Sequence, residues 1–174
     1  MIETYDRELE RQVWVHLGWL SFAALEQSVQ VLLRSKGYRE VRIVGCRSWR
    51  GRSQFGGIDL VARTRTELAD ALVLIQVKQY GPVQRRFVDE LRGAMLRYGA
   101  SQGIIVTTAD FSDKAVEAAD RYPGRPIRLI RGRKLARLMI EQGIGVRVQP
   151  LAPKQFPKLV LDELFFEIIE DDSQ

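Results

Sequence analysis

Three polar side chains near the middle of the sequence could support metal-dependent hydrolysis. Asp59 ends the run Gly-Gly-Ile-Asp, and Gln76 and Lys78 close a later apolar run. Residues two apart in a strand point to the same face, so Gln76 and Lys78 are expected side by side, with Val77 turned to the core and its carbonyl near the site. A carboxylate, an amide oxygen and a backbone carbonyl suit Mg²⁺, which takes oxygen ligands and keeps several waters. A lysine beside that ion could orient a water or stabilise charge growing on a phosphate.

The two apolar runs are predicted to form an antiparallel hairpin. They span residues 58–62 and 71–77 and flank the polar link 63–70. The start of the first strand then lies beside the end of the second, which would bring the three side chains together. The same spacing also fits solvated strand ends that carry a surface ion pair of little energetic weight.

The remaining periodicity predicts a mixed α/β sheet flanked by helices. Helices are predicted at 3–17, 21–36, 82–96, 112–122 and 133–141, and further strands at 41–44, 103–108 and 127–130. Strand–helix alternation in the second half favours parallel pairing through right-handed crossovers, whereas the hairpin is antiparallel.

Three regions are expected along the chain. Residues 1–20 would form an N-terminal helical extension, and residues 21–149 the domain that holds the site. Residues 150–174 would be a Pro-rich linker and an acidic, apolar tail. This tail could be a strand or a helix that docks on the body or on a second copy.

Composition narrows the classes of function. The chain has 174 residues and a formal net charge of +5. Six of its 22 acidic residues follow Lys158, where there is no Lys or Arg. Residues 1–158 therefore hold 16 acidic and 27 basic residues, a formal charge of +11. Such a body favours a polyanionic partner, although many soluble proteins of high pI have none. One cysteine, Cys46, excludes an internal disulfide and a Cys-based zinc site, and His16 as the one histidine makes histidine-dependent hydrolases poor candidates. The polar N-terminus favours a cytoplasmic location.

Residues around the site are candidates for DNA contact. A basic, glycine-punctuated loop precedes Asp59, and polar side chains follow Lys78; the candidates are Arg47, Trp49, Arg50, Arg52, Gln54, Gln79, Tyr80 and Arg85. Arginine can contact phosphates or guanine edges, and an aromatic ring can stack on a base. Arg92 lies seven residues after Arg85, so both could form a phosphate-contacting stripe. Alternatively, the loop could simply be solvated, and Arg85 and Arg92 could belong to an ordinary polar helix surface.

The pattern resembles the PD-(D/E)XK nuclease superfamily, specifically its Mrr-type restriction endonuclease branch. There the second acid is replaced by Gln, giving Asp…Gln-x-Lys, which corresponds here to Asp59 and Gln76-Val77-Lys78. The helix 22–36 before Gly37-Tyr38, the strand and helix 103–115, and the strand and helix 129–138 are similar to family elements in the same order.

The resemblance implies a Mg²⁺-dependent DNA endonuclease, with Mn²⁺ able to substitute, that acts on double-stranded DNA in defence against foreign or modified DNA. It implies that Asp59, Gln76 and the Val77 carbonyl hold the ion, that Lys78 acts on the water, and that Glu26 assists metal binding; a solvated helix position is the alternative for Glu26. Cutting both strands would need two sites, so a homodimer is expected.

Two other functions fit parts of the sequence. A non-catalytic DNA-binding or assembly module on the same fold is compatible with the neutral Gln76. A nucleotide-binding α/β domain is disfavoured, because no Gly-rich phosphate loop follows a strand.

Overall fold

The computed structural model describes residues 7–45, 56–65, 70–149 and 158–173. In these ranges the helices are α1 (Arg7–Trp19), α2 (Phe22–Ser35), α3 (Arg85–Tyr98), α4 (Asp113–Asp120), α5 (Gly132–Glu141) and α6 (Glu163–Asp171). The strands are β1 (Arg39–Ile43), β2 (Leu60–Arg65), β3 (Asp70–Lys78), β4 (Gln102–Thr107), β5 (Ile127–Ile130), β6 (Val146–Gln149) and β7 (Lys158–Leu161). No helix of the described ranges is long and apolar enough to cross a membrane.

The main sheet has the strand order β1-β2-β3-β4-β5. β1, β2 and β3 pair antiparallel, whereas β3, β4 and β5 pair parallel, which confirms the predicted mixed α/β architecture. Leu60 pairs with Ile75 in the β2–β3 hairpin, so Asp59 enters β2 beside the last residues of β3.

Helices cover both faces of the sheet. Alternate β3 residues Val73, Ile75 and Val77 pack into a core shared with α1, α2 and α5, while Leu74 packs into a second core with α3 and α4. A Cβ atom on Gly103 of β4 would lie 2.8 Å from the sulfur of Met95, so the glycine is what lets α3 lie close on the sheet.

Both ends of the described chain pack against the body. Val13 and Leu17 of α1 are fully buried in the first core, and Phe166 and Ile169 of α6 enter the same core. The carboxylate of Glu170 also accepts a hydrogen bond from the N–H of Ser21 at 2.9 Å. The helix predicted over 3–17 is observed as α1, and the tail, which could have docked on the body or on a second copy, places α6 on its own body.

The sequence did not indicate the pairing of β6 with β7. Val146 lies opposite Leu161 and Gln149 opposite Lys158, in a separate two-stranded antiparallel sheet. The intervening residues 150–157 lie outside the described ranges. The prolines there indicated a linker, whereas the segments that flank them pair as strands.

Candidate active site

Asp59 is fixed by backbone hydrogen bonds at the start of β2. Its carbonyl accepts from the N–H groups of Val44 and Gly45 at 2.8 and 3.0 Å, and its N–H donates to Ile75 at 3.0 Å. Its carboxylate Oδ2 accepts from the Val77 N–H at 2.7 Å. The acid is thereby held between the end of β1 and the end of β3, with one carboxylate oxygen already used by the protein.

Gln76 is buried, with 2% of its surface exposed. Its Nε2 donates to the carbonyl of Gly57 at 2.9 Å, which fixes the orientation of the amide, because a flipped amide would set oxygen against oxygen. Within the described residues, the buried Oε1 atom has no hydrogen-bond partner. Since buried polar atoms are nearly always satisfied, this oxygen calls for a partner beyond the described residues and is a candidate ligand for a cation.

Glu26 lies beside Asp59. The hydroxyl of Ser21 caps α2 by accepting from the Ala24 N–H at 3.2 Å, and Glu26 follows in the second turn, 4% exposed. A Cβ atom on Gly45 would lie 2.8 Å from Glu26 Oε1 and 3.5 Å from Asp59 Oδ1. Both carboxylates therefore face one small space, which stays open because residue 45 has no side chain.

Lys78 and the Val77 backbone complete the group. The N–H and C=O of one strand residue point to the same edge, so the Val77 carbonyl faces the edge on which its N–H meets Asp59. The half-buried Lys78 follows Gln76 on the opposite face from Val77, and its Nζ lies 4.8 Å from the centroid of the Phe87 ring. An aromatic face thus restricts the ammonium group at the end of β3.

Burial makes the site unfavourable for uncompensated negative charge. It raises the pKa of Asp59 above its usual value, while the Val77 hydrogen bond and the positive charge of Lys78 act in the opposite direction. A cation bound at the carboxylate would also favour its charged form.

The oxygen set fits a hard divalent cation. Asp59 Oδ1, Glu26 Oε1, Gln76 Oε1 and the Val77 carbonyl are all oxygen donors, as Mg²⁺ requires. No cluster of three or more His, Cys, Asp or Glu suited to a metal occurs in the described residues. The amide and the backbone carbonyl would therefore have to supplement two carboxylates.

The candidate DNA-contact residues have different surroundings. The amide of Gln79 donates to the Leu20 carbonyl inside the protein, whereas the Tyr80 side chain is 81% exposed. The exposed Arg85 forms an ion pair with Asp89 at 3.1 Å. The loop candidates Arg47, Trp49, Arg50, Arg52 and Gln54 lie outside the described residues.

The Arg92 side chain already contacts other parts of the protein. Its guanidinium donates to the carbonyls of Ala118 at 2.9 Å and Arg125 at 3.3 Å, and it lies 4.7 Å from the centroid of the Tyr122 ring. Arg92 thus ties α3 to the end of α4, which leaves it poorly placed to form a phosphate-contacting stripe with Arg85.

Sequence reasoning missed two neighbours of the site. Gly45 separates the carboxylates of Asp59 and Glu26, and its one signal was its place directly after a predicted strand. Phe87 lies against Lys78, but its helical spacing indicated only core packing.

Comparisons with known proteins identify the family and the fold. A family model described as restriction endonuclease, of the Mrr catalytic type, matches residues 19–139. The fold is similar to that of the DNA modification-dependent restriction endonuclease AspBHI, with a TM-score of 0.57 and 18% identity, over 83% of this chain and 39% of that one. It is also similar to the MspJI restriction endonuclease in complex with a 27-mer oligonucleotide, with a TM-score of 0.53 and 21% identity, over 82% of this chain and 33% of that one.

The similarity to these two enzymes therefore spans well under half of their lengths. No curated protein matches the chain. The family match covers more than half of the sequence and includes Glu26, Asp59, Gln76 and Lys78, so the chain belongs to the Mrr-type restriction endonuclease family.

Proposed function

We propose that this protein is a Mg²⁺-dependent DNA endonuclease that hydrolyses phosphodiester bonds at the site formed by Asp59, Gln76, Lys78 and Glu26. The observation that carries the proposal is the buried Oε1 of Gln76, which has no hydrogen-bond partner among the described residues, at the same strand end where the Val77 N–H holds the carboxylate of Asp59. An oxygen held in that position without a donor is suited to a cation, and an Asp–Gln pair next to a lysine is suited to phosphate chemistry.

Asp59, Gln76, the Val77 carbonyl and Glu26 would hold the ion. When bound, Mg²⁺ would supply charge stabilisation on the phosphate and an activated water. The backbone hydrogen bonds of Asp59 hold its free oxygen in place before substrate arrives, and the Gly57 carbonyl does the same for the Gln76 amide.

Lys78 would orient the attacking water or neutralise charge on a phosphate oxygen. Its Nζ is kept at the end of β3 by the Phe87 ring, on the face that also carries Gln76. An ammonium group fixed in this way needs little reorganisation as charge develops during hydrolysis.

DNA is the proposed substrate because of family membership and charge. Residues 1–158 carry a formal charge of +11, which favours binding to a polyanion. The related MspJI fold was solved with an oligonucleotide. A homodimer would supply the two sites needed to cut a duplex, and the exposed Leu164 and Ile168 of α6 are candidate contacts.

Plasmid cleavage tests the proposal. Supercoiled DNA should be nicked or linearised with Mg²⁺ or Mn²⁺ and should stay intact in EDTA. Asp59→Ala should abolish cleavage, and Lys78→Met should slow it by about a hundredfold or more. Asp120→Ala, which changes an exposed acid of α4, is the matched control and should cut like wild type.

Three results would contradict the proposal. The first is cleavage that needs no metal, and the second is equal cleavage by wild type, Asp59→Ala and Lys78→Met. The third is salt-sensitive DNA binding without cleavage in any divalent metal, which would instead favour a non-catalytic DNA-binding module on this fold.

A further inference from the structure

An aromatic cleft opens directly beside Lys78. It has a volume of about 300 Å³, and its lining includes Phe22, Tyr80, Pro82 and Phe87. Lys78 itself forms part of the wall, so the cleft is continuous with the proposed catalytic group. Any nucleotide whose phosphate reaches Lys78 would place its neighbouring atoms at this opening.

The aromatic side chains present usable faces. Tyr80 is 81% exposed, and within the described residues its side chain makes no hydrogen bond or ring contact. Phe22 is 41% exposed and lies four residues before Glu26, on the same face of α2. A large exposed aromatic beside a reactive site is suited to stacking on a planar ligand.

Two cations lie close to Phe87, which lines the same cleft. Lys78 Nζ and the Arg86 guanidinium lie 4.8 and 4.7 Å from the centroid of the Phe87 ring. The cleft therefore combines aromatic surface for a base with cations for the adjoining phosphates, as single-stranded nucleic-acid sites do.

We propose that this cleft accepts one unstacked nucleobase next to the phosphate that is cut, so that the enzyme prefers DNA with an unpaired or weakly paired nucleotide at that position. The inference rests on the proposed nuclease function and narrows its substrate class. A base inside a duplex is covered on both faces and must leave the stack to enter the cleft. That step costs least where the base is unpaired or mismatched, which generates the preference.

DNA binding in EDTA tests the cleft without cleavage. The wild-type chain is titrated into three labelled duplexes of one sequence: fully paired, carrying one bulged nucleotide, and carrying an abasic residue in place of that nucleotide. The bulged duplex should bind about tenfold more tightly than the other two, within the range set by stacking of one base on an aromatic ring. With 2-aminopurine as the bulged base, binding should also quench its fluorescence.

Two variants test whether Tyr80 is responsible for the preference for the bulged base. Tyr80→Ala should bring the ratio of the three Kd values close to one and remove the quenching. Tyr122→Ala, another exposed tyrosine, is the matched control and should keep both. Equal affinity of wild type for the bulged and abasic duplexes, or a preference that persists in Tyr80→Ala, would overturn the inference.

Plasmid cleavage separates this failure from failure of the nuclease proposal. Metal-dependent cleavage without any base preference would overturn the proposed base-binding role of the cleft and leave the nuclease proposal standing. Base preference without cleavage in any divalent metal would support the cleft as a binding site and overturn the nuclease function.

Discussion

The carboxylate of Asp59 accepts a hydrogen bond at 2.7 Å from the backbone N–H of Val77, the residue between Gln76 and Lys78. This contact joins the two halves of the Asp…Gln-x-Lys pattern through the main chain. It orients the acid by the hairpin itself, while burial raises its pKa. The same local structure therefore determines where the Asp59 carboxylate lies and how unfavourable its ionisation is.

Asp59→Asn should stabilise the fold while abolishing cleavage. A raised folded-state pKa means that the stability contributed by Asp59 is fully present below its unfolded pKa of about 3.9 and is lost as pH rises through the folded pKa. The side-chain oxygen of the asparagine variant can still accept the hydrogen bond from Val77. The free energy of unfolding of this variant, relative to that of wild type, should therefore rise as pH increases. The gain should be largest at the alkaline end of the pH range.

Urea unfolding of both proteins in EDTA between pH 4 and 8 measures this difference, with Asp120→Asn as the exposed control. An Asp59→Asn variant less stable than wild type at pH 8 would show that burial of the charge carries no cost.

Gly45→Ala should reduce cleavage strongly with a small effect on folding. The new methyl group would lie 2.8 Å from Glu26 Oε1, so the buried carboxylate must move away from Asp59. We expect a loss of about tenfold or more in cleavage rate, in line with misplacement of a group at a reacting centre. Gly93→Ala is the matched control, because nothing lies within 4 Å of its added methyl group; this exposed α3 position should gain about 0.5–1 kcal/mol. Unchanged cleavage by Gly45→Ala would show that the position of the Glu26 carboxylate does not matter for cleavage.

Gln76→Glu should be unstable without metal and recover when metal is added. The substitution removes the Nε2 donor and sets a carboxylate oxygen against the Gly57 carbonyl, which should cost about 1–3 kcal/mol of unfolding free energy in EDTA. Added Mg²⁺ should raise the melting temperature more than in wild type, because the new charge favours the cation.

Thermal melts with and without Mg²⁺ measure this, with the exposed Gln142→Glu as control. Stability of Gln76→Glu equal to wild type in EDTA would argue against the amide–carbonyl contact.

Arg137→Met should destabilise the protein through α1. Glu10 is 5% exposed and receives hydrogen bonds from Arg137 at 2.9 and 3.1 Å. Within the part of the chain that the structure describes, loss of this partner leaves the buried carboxylate with only the more distant Arg133 at 3.9 Å, so we expect a loss of about 1–3 kcal/mol in urea unfolding. Arg11→Met breaks the exposed pair with Glu8 and should cost much less, because solvent screens that pair. Equal small losses would show that the Glu10–Arg137 contact contributes little to stability.

Local periodicity was enough to predict the five strands of the main sheet, the antiparallel hairpin and the parallel pairing of its second half. The β2–β3 hairpin follows from two apolar runs with a polar link, and the parallel strands follow from strand–helix alternation. The β6–β7 pair was missed because it joins segments across the Pro-rich stretch 150–157, and no local pattern encodes such a contact.

Asp59, Gln76 and Lys78 were predicted from residue type and spacing, and Glu26 from the family resemblance, but the partners of these residues were not predicted. That Gln79 bonds to Leu20, or Arg92 to Ala118, depends on contacts between distant elements. Gly45 matters because a side chain is missing, and its effect is visible only once α2 and β2 are placed around it.

A crystal structure of the protein soaked in Mn²⁺, with anomalous diffraction to locate the metal, tests most directly whether these residues form the catalytic metal site. We expect one anomalous peak coordinated by Asp59 Oδ1 and Gln76 Oε1, at about the 2.0–2.3 Å typical of small divalent ions with oxygen ligands. An anomalous peak elsewhere, or none at saturating Mn²⁺ while Gln76 Oε1 stays buried, would contradict that assignment.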